Sequence, residues 1–156
     1  MSVNEIYNLL AKAKMFAPLE FPKDLPTRKE LLGNSDWYDF EIQTWNIGEN
    51  IRQLFVVNPT LRKNKDILDK ILEIIKTVNL RRGRQSFVLL LGFVGAKPLA
   101  PELVDFLEDK DIDGHILDTL LKMKAGEYTK QIKPLLNSNA TWIKNLAKKY
   151  CERYPN

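Results

Sequence analysis

The amino-acid sequence predicts an all-α protein, an α-α superhelix of antiparallel helix pairs stacked in layers. Three observations carry this. Apolar residues recur with helical period: in Asp66 to Val78, Ile67, Ile71, Ile74, Ile75 and Val78 fall at i, i+4, i+7, i+8 and i+11 and make one stripe. The pattern apolar-x-x-apolar-apolar also repeats, as Ile71, Ile74, Ile75, then Leu103, Phe106, Leu107, then Ile132, Leu135, Leu136, at offsets of 32 and 29 residues. No window alternates apolar and polar residues between hairpin turns, as half-buried strands would.

Each element follows in chain order. MSVNEIYNLLAKAKMF reads as a first amphipathic helix, because Asn4, Glu5 and Asn8 interrupt the apolar run that a signal peptide requires. Pro18, Pro22 and Pro26 mark an irregular stretch over residues 15–27. Residues 1–47 therefore form a less regular helical part, and helix pairs fill 48–153. Each apolar repeat ends in a short polar turn and a second helix, expected at Arg81 to Val94, Asp113 to Met123 and Thr141 to Arg153. The longest apolar run, Phe87 to Ala96, is about half the length needed to cross a bilayer and reads as a buried core helix, so no membrane is expected. One helix pair cannot bury its own apolar face, and pairs spaced near 30 residues stack to do so. The expected core is Ile71, Ile74, Ile75, Phe87, Leu90, Leu91, Leu103, Phe106, Leu107, Ile116, Leu120, Leu135, Leu136, Ile143 and Leu146. At 156 residues, one domain over 1–156 buries roughly 70% of the surface of its unfolded chain.

In RQSFVLLLGFVGA, Arg84 opens a segment that carries Leu91-Gly92 before Val94-Gly95. In FLEDKDIDGHILDTLLKM and LLNSNATWIKNLAKKY, an apolar helix meets an Asp/Asn-rich turn and a further helix. These stretches resemble the HEAT-like repeat family over residues 48–153. The chain departs from the pattern at Phe87, where the family has a small residue, and at Gly114 and His115, where it has a turn Arg or Lys. The resemblance implies a curved solenoid used to bind proteins. Some HEAT-like proteins bind DNA, and one branch is a family of alkylpurine DNA glycosylases. It carries over no catalytic residues.

Asp109, Asp111, Asp113 and Gly114 have the D-x-D-x-D-G spacing of an EF-hand, but position 12, where Ca²⁺ needs a bidentate Glu, is Leu120. The carboxylates read instead as caps between two helices, with Ile116, Leu117, Leu120 and Leu121 buried and His115 and Asp118 toward solvent. His115 and Cys151 are the only His and Cys and lie a full repeat apart, which leaves no Cys-His pair. The lone cysteine excludes an internal disulfide and fits a reducing, cytoplasmic location. Asp36, Asp39, Glu41 and Glu49 surround Trp37 and Trp45 and read as a capped helix with its Trp residues packed inward, the alternative being an acid beside an aromatic pocket that serves base excision or hydrolysis. No phosphate-loop, dinucleotide, zinc-protease or C-x-x-C motif occurs, and no catalytic residue, metal or cofactor is expected.

Charge is unevenly placed. Residues 1–60 carry 6 basic and 8 acidic side chains, and 61–156 carry 18 and 12. Residues 101–118 hold 7 acids against Lys110, and residues 119–156 hold 8 bases against Glu127 and Glu152. Arg81, Arg82 and Arg84 make a basic knot at an expected helix start, where the dipole opposes them and a carboxylate or an external anion is required. The acidic block one repeat later is the carboxylate source the sequence offers. Arg81, Arg82, Arg84, Trp142, Lys144 and Lys148 are the candidate binding residues. The expected function is a non-catalytic protein-binding or scaffold module. A nucleic-acid-binding or alkylpurine DNA glycosylase-like repair protein is the alternative, and a toxin-neutralising partner the third. Oligomeric state stays open.

Overall fold

The computed structural model describes residues 3–20, 27 and 36–156, and over these the protein is all-α. Pro22, Pro26 and the rest of the expected irregular stretch from 21 to 26 lie outside the described residues. The helices are α1 (Val3–Met15), α2 (Asp39–Val57), α3 (Lys65–Lys76), α4 (Gln85–Val94), α5 (Ala100–Leu103), α6 (Asp113–Lys122), α7 (Thr129–Ile132) and α8 (Thr141–Arg153). Single 3₁₀ segments occupy Pro59–Lys63, Val78–Arg84 and Lys97–Leu99, and two others extend α5 as Val104–Glu108 and α7 as Lys133–Asn137. Among the described residues the β structure is an isolated bridge between Thr27 and Tyr38. No described helix is long and apolar enough to cross a membrane.

Local chemistry sets these boundaries. Asn64 caps α3, its side chain accepting from the Ile67 amide at 3.1 Å. Pro134 has no N–H to give to a carbonyl of the preceding turn, and α7 tightens into 3₁₀ winding there. Glu41, three residues into α2, accepts from the Tyr38 amide at 2.9 Å and so satisfies a free donor at the helix start.

The chain divides into two compact units, Met1–Leu90 and Leu91–Asn156, with the division inside α4. In the first, α1 packs on α2 and α3, and α2 packs along Val78–Arg84. Its core takes in Ile6, Leu10, Ile47, Ile51, Phe55, Ile71, Ile75, Leu80 and Phe87. In the second, α6 packs on α8 and on Val104–Glu108, and α8 packs on Lys133–Asn137 and α7. Its core takes in Leu103, Ile112, Ile116, Leu120, Ile132 and Tyr150. The buried Tyr150 hydroxyl donates to the Ala125 carbonyl and accepts from the Tyr128 amide, which ties α8 to the preceding turn. Burial pushes its phenol up to about 12.

The expected core is buried except at Phe106, Leu136 and Leu146, which are half-buried. The helix expected from Arg81 begins four residues later, at Gln85. Val78–Arg84 winds as 3₁₀ and breaks at Arg81, whose φ of 50° and ψ of −129° no helix contains. A non-glycine residue there is strained by roughly 1–3 kcal/mol and persists only where its surroundings fix it. Those surroundings are the face of α2. A Cβ on Gly83 would stand 2.8 Å from the Glu41 carbonyl oxygen and 2.8 Å from Thr44 Cβ, so only glycine lets the two backbones approach this closely.

Candidate functional site

The basic knot is organised from within the first unit. The Glu41 carboxylate is fully buried and accepts four hydrogen bonds, three of them from Arg82 counting its main chain. Oε2 accepts from the Arg82 amide at 2.9 Å and from Nε at 3.1 Å, and Oε1 accepts from Nη2 at 3.1 Å and from the Tyr38 amide. Arg82 Nη1 donates to Asp36 Oδ1 at 3.0 Å, Nη2 donates to the Asp36 carbonyl at 2.9 Å, and the guanidinium lies 5.1 Å from the Trp37 ring centre. Burial lowers the Arg82 pKa, but the hydrogen bonds and charges of Glu41 and Asp36 more than offset it, and the net shift is upward. The carboxylates that answer Arg82 are thus Glu41 and Asp36, both from the first unit.

Arg84 is fully buried. Its Nη1 donates to the Ile75 carbonyl at 3.0 Å and its Nε to the Arg81 carbonyl at 2.8 Å. Ile75 is in the last turn of α3, so the cation sits at the negative end of that helix and closes its C-terminus. As a candidate for contact with a partner, Arg84 is corrected: its guanidinium is enclosed by its own chain. Arg82, with 20% of its side chain exposed, presents little more. Arg81 is half-buried, at the strained position.

The other chemical candidates are similarly committed. Gln43 donates to Asp39, and Arg52 to Glu49 at 3.1 Å. A cleft of about 340 Å³ opens between α1 and α3, but its Lys14 pairs with Glu73 at 3.8 Å and its Tyr7 hydroxyl donates to Asp66 at 2.7 Å. In the D-x-D-x-D-G turn, Asp109 accepts from the Asp111 amide at 3.0 Å and Asp113 from the Gly114 amide at 2.8 Å, so the carboxylates close main-chain donors. Among the described residues no three His, Cys, Asp or Glu side chains come together as a metal site.

The remaining candidates lie on α8. Ile143, Ala147 and Tyr150 form its buried face. At about 100° per residue, Lys144 and Lys148 fall on one flank of that face, roughly 120° to 160° around the helix from Trp142. The three expected partners do not form one patch. Trp142 shares its flank with Leu146, Lys149 and Arg153, at i, i+4, i+7 and i+11. Its ring is 48% exposed yet held: the edge meets His115, with centroids 5.4 Å apart and planes at 73°, and Cη2 lies over Gly114, where a Cβ would be 2.2 Å away. His115, expected toward solvent, is half-buried by this contact. Burial pushes its imidazole pKa down, Asp118 and Asp113 pull it back up, and Lys122 lowers it further.

All eight basic residues of 119–156 are exposed. Lys122 pairs with Asp118 at 2.8 Å, and Lys148 meets Glu152 only at 4.0 Å. Lys124, Lys130, Lys133, Lys144, Lys149 and Arg153 have no ion-pair partner among the described residues. Sequence reasoning passed over Arg153, although the helical period from Trp142 points to it as it does to Lys149. Compared with family models, with curated proteins and with solved structures, the chain matches none.

Proposed function

We propose that the protein is a non-catalytic binding module of HEAT-like helix pairs, working in the cytoplasm, whose second unit contacts an acidic protein partner. The observation that supports this reading is the set of exposed cations in residues 119–156, six of them without an ion-pair partner among the described residues. In the first unit, Arg82, Arg84 and Arg52 are spent on their own chain. The second unit also exposes Glu102, Asp105 and Glu108. A surface of both signs suits a protein, which can match each sign, better than a uniform polyanion, which the acids repel.

Nucleic acid is the second reading, favoured by an exposed Trp142 among cations, the combination that stacks bases and neutralises phosphates. Fluorescence anisotropy separates the two, with labelled poly-L-glutamate and labelled single- and double-stranded oligonucleotides at about 50 and 200 mM salt. Binding of poly-glutamate at least as tight as that of the oligonucleotides is the expected result. Tighter oligonucleotide binding that collapses with salt puts nucleic acid first. No binding of either polyanion at the lower salt overturns both readings.

A further inference from the structure

Four side chains on one flank of α8 belong to two chemical kinds. Trp142 and Leu146 are apolar and partly exposed, and Lys149 and Arg153 are cationic and exposed. At i, i+4, i+7 and i+11 they stand within roughly 60° of one another and run about 16 Å along the helix. The apolar end is rigid. Gly114 leaves the space that the indole occupies, and His115 meets its edge, so an exposed aromatic ring is fixed before any partner arrives. Large side chains held in their bound orientation lose little entropy on association, and Trp and Arg are the residues most often found to dominate interfaces. The cationic end is uncommitted, with neither Lys149 nor Arg153 paired among the described residues. The opposite flank differs: on α8 itself no aromatic residue falls at the positions beside Lys144 and Lys148, and Lys148 lies 4.0 Å from Glu152.

The geometry points to this flank as a recognition strip for an acidic protein segment that carries an aromatic or large apolar residue at one end. The apolar residue packs against Trp142 and Leu146, and the carboxylates meet Lys149 and Arg153. The strip rests on the reading of the second unit as a surface for acidic proteins, and narrows it from net charge to one face and one kind of segment.

The test uses the full chain and two labelled polymers, poly-L-glutamate and a random copolymer of Glu and Tyr, measured by anisotropy. The copolymer is expected to bind more tightly, and K149E/R153E to weaken it by at least about tenfold. K144E/K148E, an equal change of charge, is expected to weaken it far less, and W142A to abolish the preference for the copolymer. Because Trp142 packs on Gly114, the pair K149E/R153E carries the test if W142A loosens α8: its side chains are exposed. Equal weakening by both charge reversals, or no preference for the copolymer, overturns the strip while leaving a general anion-binding surface. No binding of either polymer by the unaltered chain removes the wider reading as well.

Discussion

Arg82 in the first unit and Arg153 in the second carry the same guanidinium to opposite ends. The first is enclosed by a buried carboxylate, a second acid and an indole face, and it fastens a strained 3₁₀ segment to α2. The second stands in water on the last turn of α8 with no ion-pair partner among the described residues. An enclosed cation is part of the fold, and its removal leaves an unpaired charge behind. An exposed one costs the fold little and keeps its charge for something else. Net charge alone, +4 over the chain, distinguishes neither.

The sharpest way to break this contrast is at Glu41. Glu41→Gln keeps the side-chain shape and removes the charge that Arg82 answers. Breaking a buried pair from one side costs about 3–5 kcal/mol, and Asp36 remains to hold the guanidinium, so the expected loss is about 3 kcal/mol. The urea midpoint of unfolding measures it. A loss under about 1 kcal/mol means that Arg82 finds water as good a partner as Glu41, and the two arginines are then less different than their surroundings imply.

Glycine substitutions come next, and the two units predict different costs for the same added methyl. At Gly83 it strikes main-chain oxygen and Thr44 Cβ, neither of which moves without shifting α2, and Gly83→Ala is expected to cost about 2–3 kcal/mol. At Gly114 it meets the far end of the Trp142 ring and Ile143 Cγ1, side-chain atoms rather than main chain. Gly114→Ala is expected to cost about 1 kcal/mol and to move the tryptophan emission. Equal costs at the two sites show that the indole is held as firmly as a backbone, which strengthens its role as a preset anchor.

These two sites also mark what was legible in the sequence. The all-α class follows from the stripe Ile67, Ile71, Ile74, Ile75, because helical period is a local signal and each of these residues is buried. Val78–Arg84 was not legible. Its geometry comes from Glu41, 41 residues away, and local spacing carries no trace of that partner. Phe106 and Leu136 are placed inward by an α period of 3.6, but their segments wind as 3₁₀ at about three residues per turn, which turns them partway out. Nearness in sequence groups Trp142 with Lys144 and Lys148, whereas the period of the same helix separates them and joins Trp142 to Lys149 and Arg153. That part of the site was readable, with the right period applied.

His115 gives a smaller effect with a definite sign. Its neighbours are Trp142, Asp118, Asp113 and Lys122, and the net result is a folded pKa below the ordinary value of 6.5. On acidification the unfolded chain therefore binds its proton first. Stability from this residue is complete above about pH 6.5 and is lost as pH falls below it towards the folded value. His115→Asn is expected to flatten the melting temperature over that interval relative to the unaltered protein. An unchanged slope means that the ring contact with Trp142 does not depend on a neutral imidazole.

The smallest effect separates the two regions most cleanly. K144E/K148E and K149E/R153E each reverse two exposed cations, and substitutions of this kind shift stability by no more than about 0.5 kcal/mol. K144E/K148E puts an acid at position 148 beside Glu152, and K149E/R153E places two acids in the last two turns of α8, against the dipole, so a small loss is expected from each. Chemical denaturation of both beside Glu41→Gln spans the whole range, from a cation the fold requires to cations it can exchange. The near-zero result is the informative one. Only if both charge reversals leave folding intact does a difference between them in polymer binding report on the flank itself. If K149E/R153E instead unfolds the chain as Glu41→Gln is expected to weaken it, the α8 cations have a structural task like that of Arg82, and the contrast between the two units fails at its second term.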